Sequence, residues 1–208
     1  MTGIIDYGVG NLFSLVSSFR KIGEEAVVTS DRELLERADR IILPGVGAFR
    51  DAAGKLRESG LVPALSEQIA AGKPVMGICL GMQLLFDRSF EYGEYEGLGL
   101  IPGEVVAIDG KGGALKVPHM GWNALILKNG THPLFRYIEN GDCVYFVHSY
   151  YAACPAENVI AAAEYGEEIT AAVAKKNVMG CQFHPEKSGT VGLAVLRSFC
   201  EMKEGSLC

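Results

Sequence analysis

The first half of the chain alternates short apolar runs with stretches of helical periodicity, and this rhythm restricts the fold more than any other feature. Apolar strands that alternate with helices form parallel sheets covered by helices on both faces. The predicted strands lie at 3–6, 26–30, 40–45 and 74–79. The predicted helices lie at 11–23, at 31–38 with Ser30 as the expected N-cap, over much of 48–71 with a break near Gly60 and Pro63, and at 80–89.

The second half is rich in strands separated by Gly, Asn and Pro turn signals. The runs are GEVVAI, WNALIL, CVYFVHSY, VIAAAEY, TAAVAK and VMGCQF, and a last helix is predicted at 189–203. We therefore expect an α/β fold with an open, mostly parallel central sheet flanked by helices, and extra antiparallel strands in the second half. A chain of 208 residues without an evident linker predicts a single domain over 1–208.

Composition excludes several classes of function. The net charge is −6 and the sequence contains no block of lysine and arginine, which argues against a nucleic-acid partner. No apolar run reaches the roughly 18 to 20 residues that a membrane span needs. The first residues, MTGIIDYG, enter an apolar run without a basic leader, so we expect a cytoplasmic protein rather than a secreted one.

The six cysteines show no regular spacing, so we do not expect a disulfide framework. They lie at positions 79, 143, 154, 181, 200 and 208. One alternative is a zinc site, for which the candidate ligands are Cys143, His148, Cys181 and His184. The sequence has no CxxC pair and these residues fall within predicted strands, so we expect no metal.

Cys79 lies in 74-PVMGICLGMQLLF-86, where a predicted strand meets a predicted helix. Reactive groups of open α/β sheets gather at the carboxyl ends of strands. Gly77 and Gly81 flank the cysteine in the pattern G-x-C-x-G, which is the thiol counterpart of the G-x-S-x-G nucleophile elbow. A helix beginning at residue 80 would favour the thiolate and would offer the N–H of Leu80 to an oxyanion. The competing interpretation is a small buried core residue.

A base for this thiol is predicted at His184, which ends the strand 178-VMGCQF-183 and precedes Pro185 and Glu186. Proline keeps the preceding residue extended, and residues two apart in an extended segment face the same side. Glu186 can therefore orient one ring nitrogen while the other faces the thiol. The alternative is a surface turn. The other histidines are predicted in an exposed turn (His132), in a loop (His119) and in the core (His148).

The segment 44-PGVGAF-49 follows the strand that ends near Leu43. Two glycines around Val46 suit a loop whose backbone N–H groups point at an anion. The alternative is an ordinary turn between a strand and a helix.

Together these motifs resemble the class I, triad-type glutamine amidotransferases. The resemblance rests on GICLGMQ, QFHPEKS and PGVGAF, and it extends from about residue 3 to residue 200. Within that family the chain is most similar to the glutaminase subunits of imidazole glycerol phosphate synthases, through IDYGVGNL, GLGLIPGEV, VPHMGWN and YFVHSYY. Phe13 departs from the family pattern, since a basic residue often follows Asn-Leu there.

The resemblance implies glutamine as the substrate, with hydrolysis to glutamate and ammonia through a cysteinyl thioester and without a cofactor. The implied catalytic triad is Cys79, His184 and Glu186. The implied oxyanion-hole residues are Leu80, Val46 and Gly47, and the implied glutamine contacts are Gln83, Glu91, Ser149 and Tyr150.

The resemblance also implies a heterodimer with a synthase subunit, a (β/α)₈ barrel that receives the ammonia and makes imidazole glycerol phosphate in histidine biosynthesis. Its docking surface would include Asn11, Met120, Trp122 and Lys187, although Trp122 could instead be a core residue. The glycines of the PGVG loop would permit a peptide flip, which motivates the hypothesis that the isolated chain has low activity. Alternatives are the glutaminase subunit of another class I amidotransferase, a DJ-1/PfpI-type hydrolase, or a catalytically silent binding module.

Overall fold

The first half of the chain builds alternating strands and helices, as its periodicity predicts. The structure, a computed structural model, describes residues 1–128, 130 and 132–202. The elements of this half are β1 (Thr2–Ile5), α1 (Leu12–Lys21), β2 (Ala26–Thr29), α2 (Arg32–Arg37), β3 (Arg40–Leu43), α3 (Phe49–Glu58), α4 (Val62–Ala70), β4 (Val75–Ile78) and α5 (Leu80–Gln83). The helical stretch at 48–71 is interrupted near Gly60 as expected, whereas Pro63 lies inside the first turn of α4, where a proline is tolerated.

The second half, in the residues that the structure describes, contributes ten strands and the last helix. The strands are β5 (Arg88–Ser89), β6 (Tyr95–Glu96), β7 (Glu104–Ala107), β8 (His119–Ala124), β9 (Ile126–Leu127), β10 (Cys143–His148), β11 (Tyr150–Ala153), β12 (Val159–Glu164), β13 (Glu168–Lys175) and β14 (Val178–Cys181). The last helix, α6, spans Gly189–Cys200. The predicted end of this helix at residue 203 lies outside the described residues.

The central sheet has eight strands in the order β2-β1-β3-β4-β14-β13-β12-β9. The first five are mutually parallel and the last three pair antiparallel, which confirms the predicted fold class. Strands β8 and β10 form a separate antiparallel pair, and β11-β7-β5-β6 form a small third sheet. The strand β14 lies beside β4 although it comes much later in the sequence, and this pairing positions the candidate site.

Helices cover the central sheet on both faces. Adjacent residues of a strand point to opposite faces, and Ile4 and Ile5 accordingly belong to two different hydrophobic clusters. The cluster around Ile4 receives Phe19 of α1 and Phe199 of α6. The opposite cluster receives Leu56 of α3 together with residues of α2 and α4. Strands buried on both faces read as continuous apolar runs, which is why the sequence reveals them.

Three local predictions are wrong. The N-cap of α2 is Asp31 rather than Ser30, since the Asp31 carboxylate accepts the N–H of Glu33 at 2.8 Å. His119 belongs to β8 rather than to a loop. The helix predicted at 80–89 spans four residues, because backbone N–H groups at 98–100 donate to the carbonyls of residues 84–86 and turn the chain.

Candidate active site

Cys79 lies on a strained turn between β4 and α5. Its φ is 54° and its ψ is −112°, a conformation that residues with a side chain rarely adopt. The flanking glycines are required by space: a Cβ at Gly77 would lie 2.5 Å from the carbonyl oxygen of Gly81, and one at Gly81 would lie 1.9 Å from that of Leu43. The turn therefore raises the sulfur above the sheet and leaves the backbone of the next residues close behind it, as a nucleophile elbow does. The core interpretation of Cys79 does not account for this strain.

His184 follows β14, the parallel neighbour of β4, and this places it beside Cys79. The N–H of Cys79 donates to the carbonyl of Cys181 at 2.8 Å, which continues the ladder to the elbow. The Nδ1 of His184 lies 2.8 Å from Oε1 of Glu186, and both side chains are almost fully buried. Because Glu186 occupies Nδ1, the nitrogen left for the thiol is Nε2. The predicted His–Glu pair is therefore formed, and the alternative of a surface turn is wrong.

The backbone of His184 is fixed from two sides. Its N–H donates to the carbonyl of Tyr145 at 3.0 Å, and its own carbonyl accepts the hydroxyl of Ser188 at 2.6 Å. The Ser188 oxygen also accepts the N–H of Tyr145 at 2.9 Å. Behind this turn, α6 approaches so closely that a Cβ at Gly192 would lie 2.0 Å from the carbonyl oxygen of Pro185. The base is thus held by rigid elements rather than by a free loop.

The charge state of His184 follows from its neighbours. Burial alone would lower its pKa, but hydrogen bonding with Cys79 and Glu186 and the charges of both groups raise the pKa of His184 to about 9. The imidazolium form is thereby stabilised at neutral pH. A thiolate and an imidazolium in contact can act together as nucleophile and proton donor.

The PGVG loop lies against the start of α5. A Cβ at Gly45 would lie 2.6 Å from the N–H nitrogen of Gly81, so the loop and the helix are in direct backbone contact. Gly47 has a φ of 93°, which favours glycine. The hydroxyl of Tyr7 donates to the carbonyl of Pro44 at 2.7 Å and fixes the start of the loop. Burial and the nearby Cys79 charge raise the pKa of Tyr7, so this hydroxyl keeps its proton.

A cavity of about 310 Å³ opens over the elbow. Every residue predicted to hold substrate or an oxyanion lines it. Its lining residues are Val46, Gly47, Cys79, Leu80, Gln83, Glu91, Val147, His148, Ser149, Tyr150, His184 and Lys187. The structure therefore brings together, in one cavity, residues from five separate segments of the chain.

Two amide side chains link the cavity wall to the sulfur. Gln83 donates from Nε2 to the carbonyl of Tyr150 at 2.9 Å and to Oε1 of Gln182 at 3.0 Å, which leaves its own Oε1 to face a ligand. Gln182 donates in turn from Nε2 to the sulfur of Cys79 at 3.7 Å. Gln182 was not predicted as a site residue, although a glutamine within the apolar run VMGCQF is a signal that could have revealed it.

Glu91 reaches the cavity from the loop between β5 and β6. Its carboxylate accepts the N–H of Phe49, the first residue of α3, and its own N–H donates to the Ser89 hydroxyl at 3.2 Å. These contacts hold one acidic side chain at the rim of the cavity, away from the His–Glu pair.

Of the residues predicted to face a partner, Met120, Trp122 and Lys187 are exposed, and Lys187 also lines the cavity. Met120 and Trp122 are 62% and 58% exposed, so the alternative of Trp122 as a core residue is wrong. Lys187 is exposed and its ammonium lies 5.9 Å from the ring centre of Tyr145. Asn11 is half-buried, and its neighbour Phe13, which departs from the family pattern, is 83% exposed.

The remaining sequence predictions concern cysteines, metals and membranes. The five described cysteines are free, and Cys208 lies outside the described residues. Across residues 1–128, 130 and 132–202, no group of three or more His, Cys, Asp or Glu side chains is placed to hold a metal ion. Over the same part of the chain, every helix is too short or too polar to span a bilayer.

An open α/β sheet that places a cysteine on a strained turn beside a buried histidine–glutamate pair is typical of enzymes with a cysteine nucleophile. The particular family follows from comparison with known proteins. Residues 3–202 match the family glutamine amidotransferase class-I, and the chain belongs to that family.

Curated relatives are similar over nearly their whole length. The imidazole glycerol phosphate synthase subunit HisH of Carboxydothermus hydrogenoformans is 50% identical over 97% of this chain and 100% of that protein. The protein of the same description from Geobacter sulfurreducens is 51% identical over 96% of this chain and 98% of its own length. Among solved structures, PurLQS from Thermotoga maritima has a TM-score of 0.73 at 23% identity, with 96% of each chain covered. A crystal structure described as a glutamine amidotransferase has a TM-score of 0.74 at 20% identity, covering 96% of this chain and 97% of that one. These structures support the fold.

Proposed function

We propose that this chain is the glutaminase subunit of an imidazole glycerol phosphate synthase, a single catalytic domain that acts in the cytoplasm in histidine biosynthesis. The observation that carries the proposal is the identity of about 50% to HisH relatives over nearly the full length of both proteins. The geometry of Cys79, His184 and Glu186 supports an active enzyme rather than a silent binding module.

In the proposed reaction Cys79 attacks the side-chain amide of glutamine. The imidazolium of His184, oriented by Glu186, protonates the departing ammonia, and a γ-glutamyl thioester forms. His184, now neutral, takes a proton from water, which attacks the thioester and releases glutamate. The oxyanion would be held by the N–H of Leu80 and by N–H groups of the Val46–Gly47 segment, which lines the same cavity. Each N–H donor of this kind is worth about 3 to 4 kcal/mol in comparable sites.

The cavity wall supports glutamine as the substrate. The α-ammonium group of an amino acid requires acceptors, and both the Oε1 of Gln83 and the carboxylate of Glu91 are available at the cavity. The α-carboxylate requires donors, which we assign to main-chain N–H groups at Ser149 and Tyr150. A substrate held at its α-carbon in this way presents its side-chain amide to the sulfur.

The ammonia would pass to a synthase partner, a (β/α)₈ barrel, in a heterodimer. Neutral ammonia becomes protonated in water and loses its nucleophilicity, so a docked partner preserves the product. The surface of Met120 and Trp122 supports this arrangement, because large exposed apolar side chains beside an active site are typical of an interface. Lys187 and Asn11 would lie at the same interface.

The test of the catalytic assignment is covalent labelling by a glutamine-like chloroketone, read by mass spectrometry. We expect one adduct at Cys79 and none in Cys79→Ser. The exposed Cys143 provides a matched control: Cys143→Ser should lose labelling by iodoacetamide at that position and keep the chloroketone adduct at Cys79. Labelling at another cysteine, or at none, would refute the assignment.

The test of the partner assignment is glutamate release with and without the synthase subunit and its nucleotide substrate. We expect low release by the isolated chain and a large increase in the complex. Trp122→Glu should abolish the increase and leave the basal rate unchanged, because a charge would replace an exposed interface ring. Steady release that does not respond to the partner would indicate a hydrolase that acts alone.

A further inference from the structure

Two buried histidines beside the cavity have no role in the reaction described above. His148 ends β10 and lines the cavity, and His119 begins β8 directly opposite it in the antiparallel register. The ring of His119 lies between Phe146 and Tyr165, at 4.7 and 4.0 Å between ring centres. Both histidines are nearly inaccessible to solvent, so their ring nitrogens must find partners within the protein.

The partners determine which nitrogen carries the proton in each ring. The Nδ1 of His148 lies 2.9 Å from the carbonyl oxygen of Tyr150, and a carbonyl only accepts, so Nδ1 is the donor. In a neutral ring Nε2 is then an acceptor, and it lies 3.0 Å from Nδ1 of His119, which must donate. The Nε2 of His119 is therefore an acceptor and receives the Nδ2 amide of Asn123 at 3.2 Å. The hydrogen bonds run in one direction, from Asn123 to Tyr150.

This series of hydrogen bonds requires both histidine rings to be neutral, and their surroundings favour the neutral form. Burial lowers the pKa of His119 to about 4. Burial also lowers the pKa of His148 to about 4; the bond to the Tyr150 carbonyl opposes this, and the charges of His119 and His184 add to it. Both nitrogens of His148 are engaged, so it cannot serve as a second base for Cys79.

The series of hydrogen bonds ends at the carbonyl of Tyr150, in the wall of the cavity. Strand pairing supports this part of the backbone on one side only. The backbone leaves the β8–β10 pair at His148 and joins the third sheet at Tyr150, which pairs with Ala107 of β7. On the opposite side the Tyr150 carbonyl accepts from His148 and from Nε2 of Gln83. Side chains therefore complete the support of this peptide where the ladder does not.

We propose that Asn123, His119 and His148 are positioning residues for glutamine, because their hydrogen-bond chain sets the Ser149–Tyr150 wall against which the α-carboxylate binds. The inference rests on the proposed function, since it takes the cavity to be a glutamine site. Loss of these hydrogen bonds misplaces the Ser149–Tyr150 wall and weakens glutamine binding. Cys79 keeps its reactivity toward a reagent that does not bind against this wall.

The experiment compares two alkylating agents on the intact protein. Iodoacetamide needs only the Cys79 thiolate, whereas the glutamine-like chloroketone also needs the wall. His119→Phe keeps the stacked ring and removes both nitrogens. It should slow chloroketone labelling of Cys79 about tenfold, the factor that one unmade buried hydrogen bond produces. The KM for glutamine should rise by a similar factor, with kcat and the iodoacetamide rate within about twofold of wild type.

His119→Asn tests the hydrogen bonds themselves, because an asparagine amide can place an N–H near the position of Nδ1. Relative to His119→Phe, it should restore most of the chloroketone rate. Asn123→Ala, at a partly exposed position, is the second variant should His119→Phe not fold, and about a threefold slowing is expected from it. His132→Asn, outside the cavity, is the matched control and should change neither rate.

The possible outcomes separate the two proposals. Wild-type protein that the chloroketone does not label at Cys79 would overturn the proposed function and this inference with it. Labelled wild type together with His119→Phe and Asn123→Ala variants whose chloroketone rates equal that of wild type would overturn the inference alone. Equal slowing by both reagents would also overturn it, since the histidines would then support the fold or the thiolate rather than the wall.

Discussion

Replacing Glu186 by glutamine tests the electrostatic centre of the site. The substitution keeps the size of the side chain and removes its charge. Oε1 of Glu186 lies 2.8 Å from Nδ1 of His184, and Oε2 is buried without a hydrogen-bond partner among the described residues. If the amide NH2 of the glutamine lies next to Nδ1, it donates to the ring and requires the wrong tautomer. If the NH2 takes the Oε2 position instead, it is a buried donor without an acceptor. Either orientation weakens the imidazolium.

The size of the effect follows from the pKa of His184. Burial would lower it, yet Cys79 and Glu186 together raise it from 6.5 to about 9. That elevation corresponds to about 3 kcal/mol in favour of the imidazolium. Because burial opposes this elevation, Cys79 and Glu186 together contribute more than the net rise, and with equal shares the loss of the Glu186 charge lowers the pKa of His184 by more than about one unit. Because the imidazolium must protonate the departing ammonia, the alkaline limb of kcat/KM should move down by at least about one pH unit.

The assay is glutamate release against pH, in the presence of the synthase subunit if the isolated chain is slow. On its plateau Glu186→Gln should lose at least about tenfold in kcat/KM, and more if the wrong tautomer dominates. Glu201→Gln is the matched control, because that carboxylate accepts from Arg136 on the surface at the end of α6 and should leave kcat/KM unchanged. An alkaline limb that coincides with wild type, and a plateau within twofold of it, would refute the assigned role of Glu186.

Three further perturbations address the thiol, the elbow and the pH dependence of folding. Gln182→Met removes the amide donor 3.7 Å from the Cys79 sulfur and should slow iodoacetamide alkylation at pH 7 by about threefold to tenfold. Gly81→Ala places a Cβ 1.9 Å from a backbone oxygen of β3 and should lower the free energy of unfolding in urea by about 3 kcal/mol. Gly54→Ala in α3 should instead raise the free energy of unfolding by about 0.5 to 1 kcal/mol, because a new Cβ there would meet no described heavy atom within 4 Å. The pKa of His184 is higher in the folded state than in the unfolded state, so its stabilisation is complete below about pH 6.5 and is lost as the pH rises through about 9; urea unfolding should show that decline.

The proposed catalytic residues could be predicted from the sequence because their signals are local. The glycines around Cys79 and the His184–Pro185–Glu186 run each encode a backbone geometry within a few residues, and the structure has both. The length of α5 could not be predicted, since it is set by hydrogen bonds from residues 98–100. These residues are too far along the sequence to enter a local pattern of helical periodicity. His119 was misplaced for the same reason: its flanking proline and glycine indicate a loop, and its strand exists through pairing with β10.

The meeting of nucleophile and base is a property of the sheet. Strand β14 aligns with β4 so that Gly180 lies opposite Gly77, and Cys181 lies opposite Ile78. A Cβ at Gly180 would lie 2.5 Å from Cγ of Met82, so the close approach of α5 over this pair depends on the absence of side chains. A slip of one residue in this register would turn the side chains of β14 to the opposite face and carry His184 away from the thiol. The absence of side chains at both glycines therefore lets α5 pack over them in the register in which the proposed base and nucleophile share a cavity.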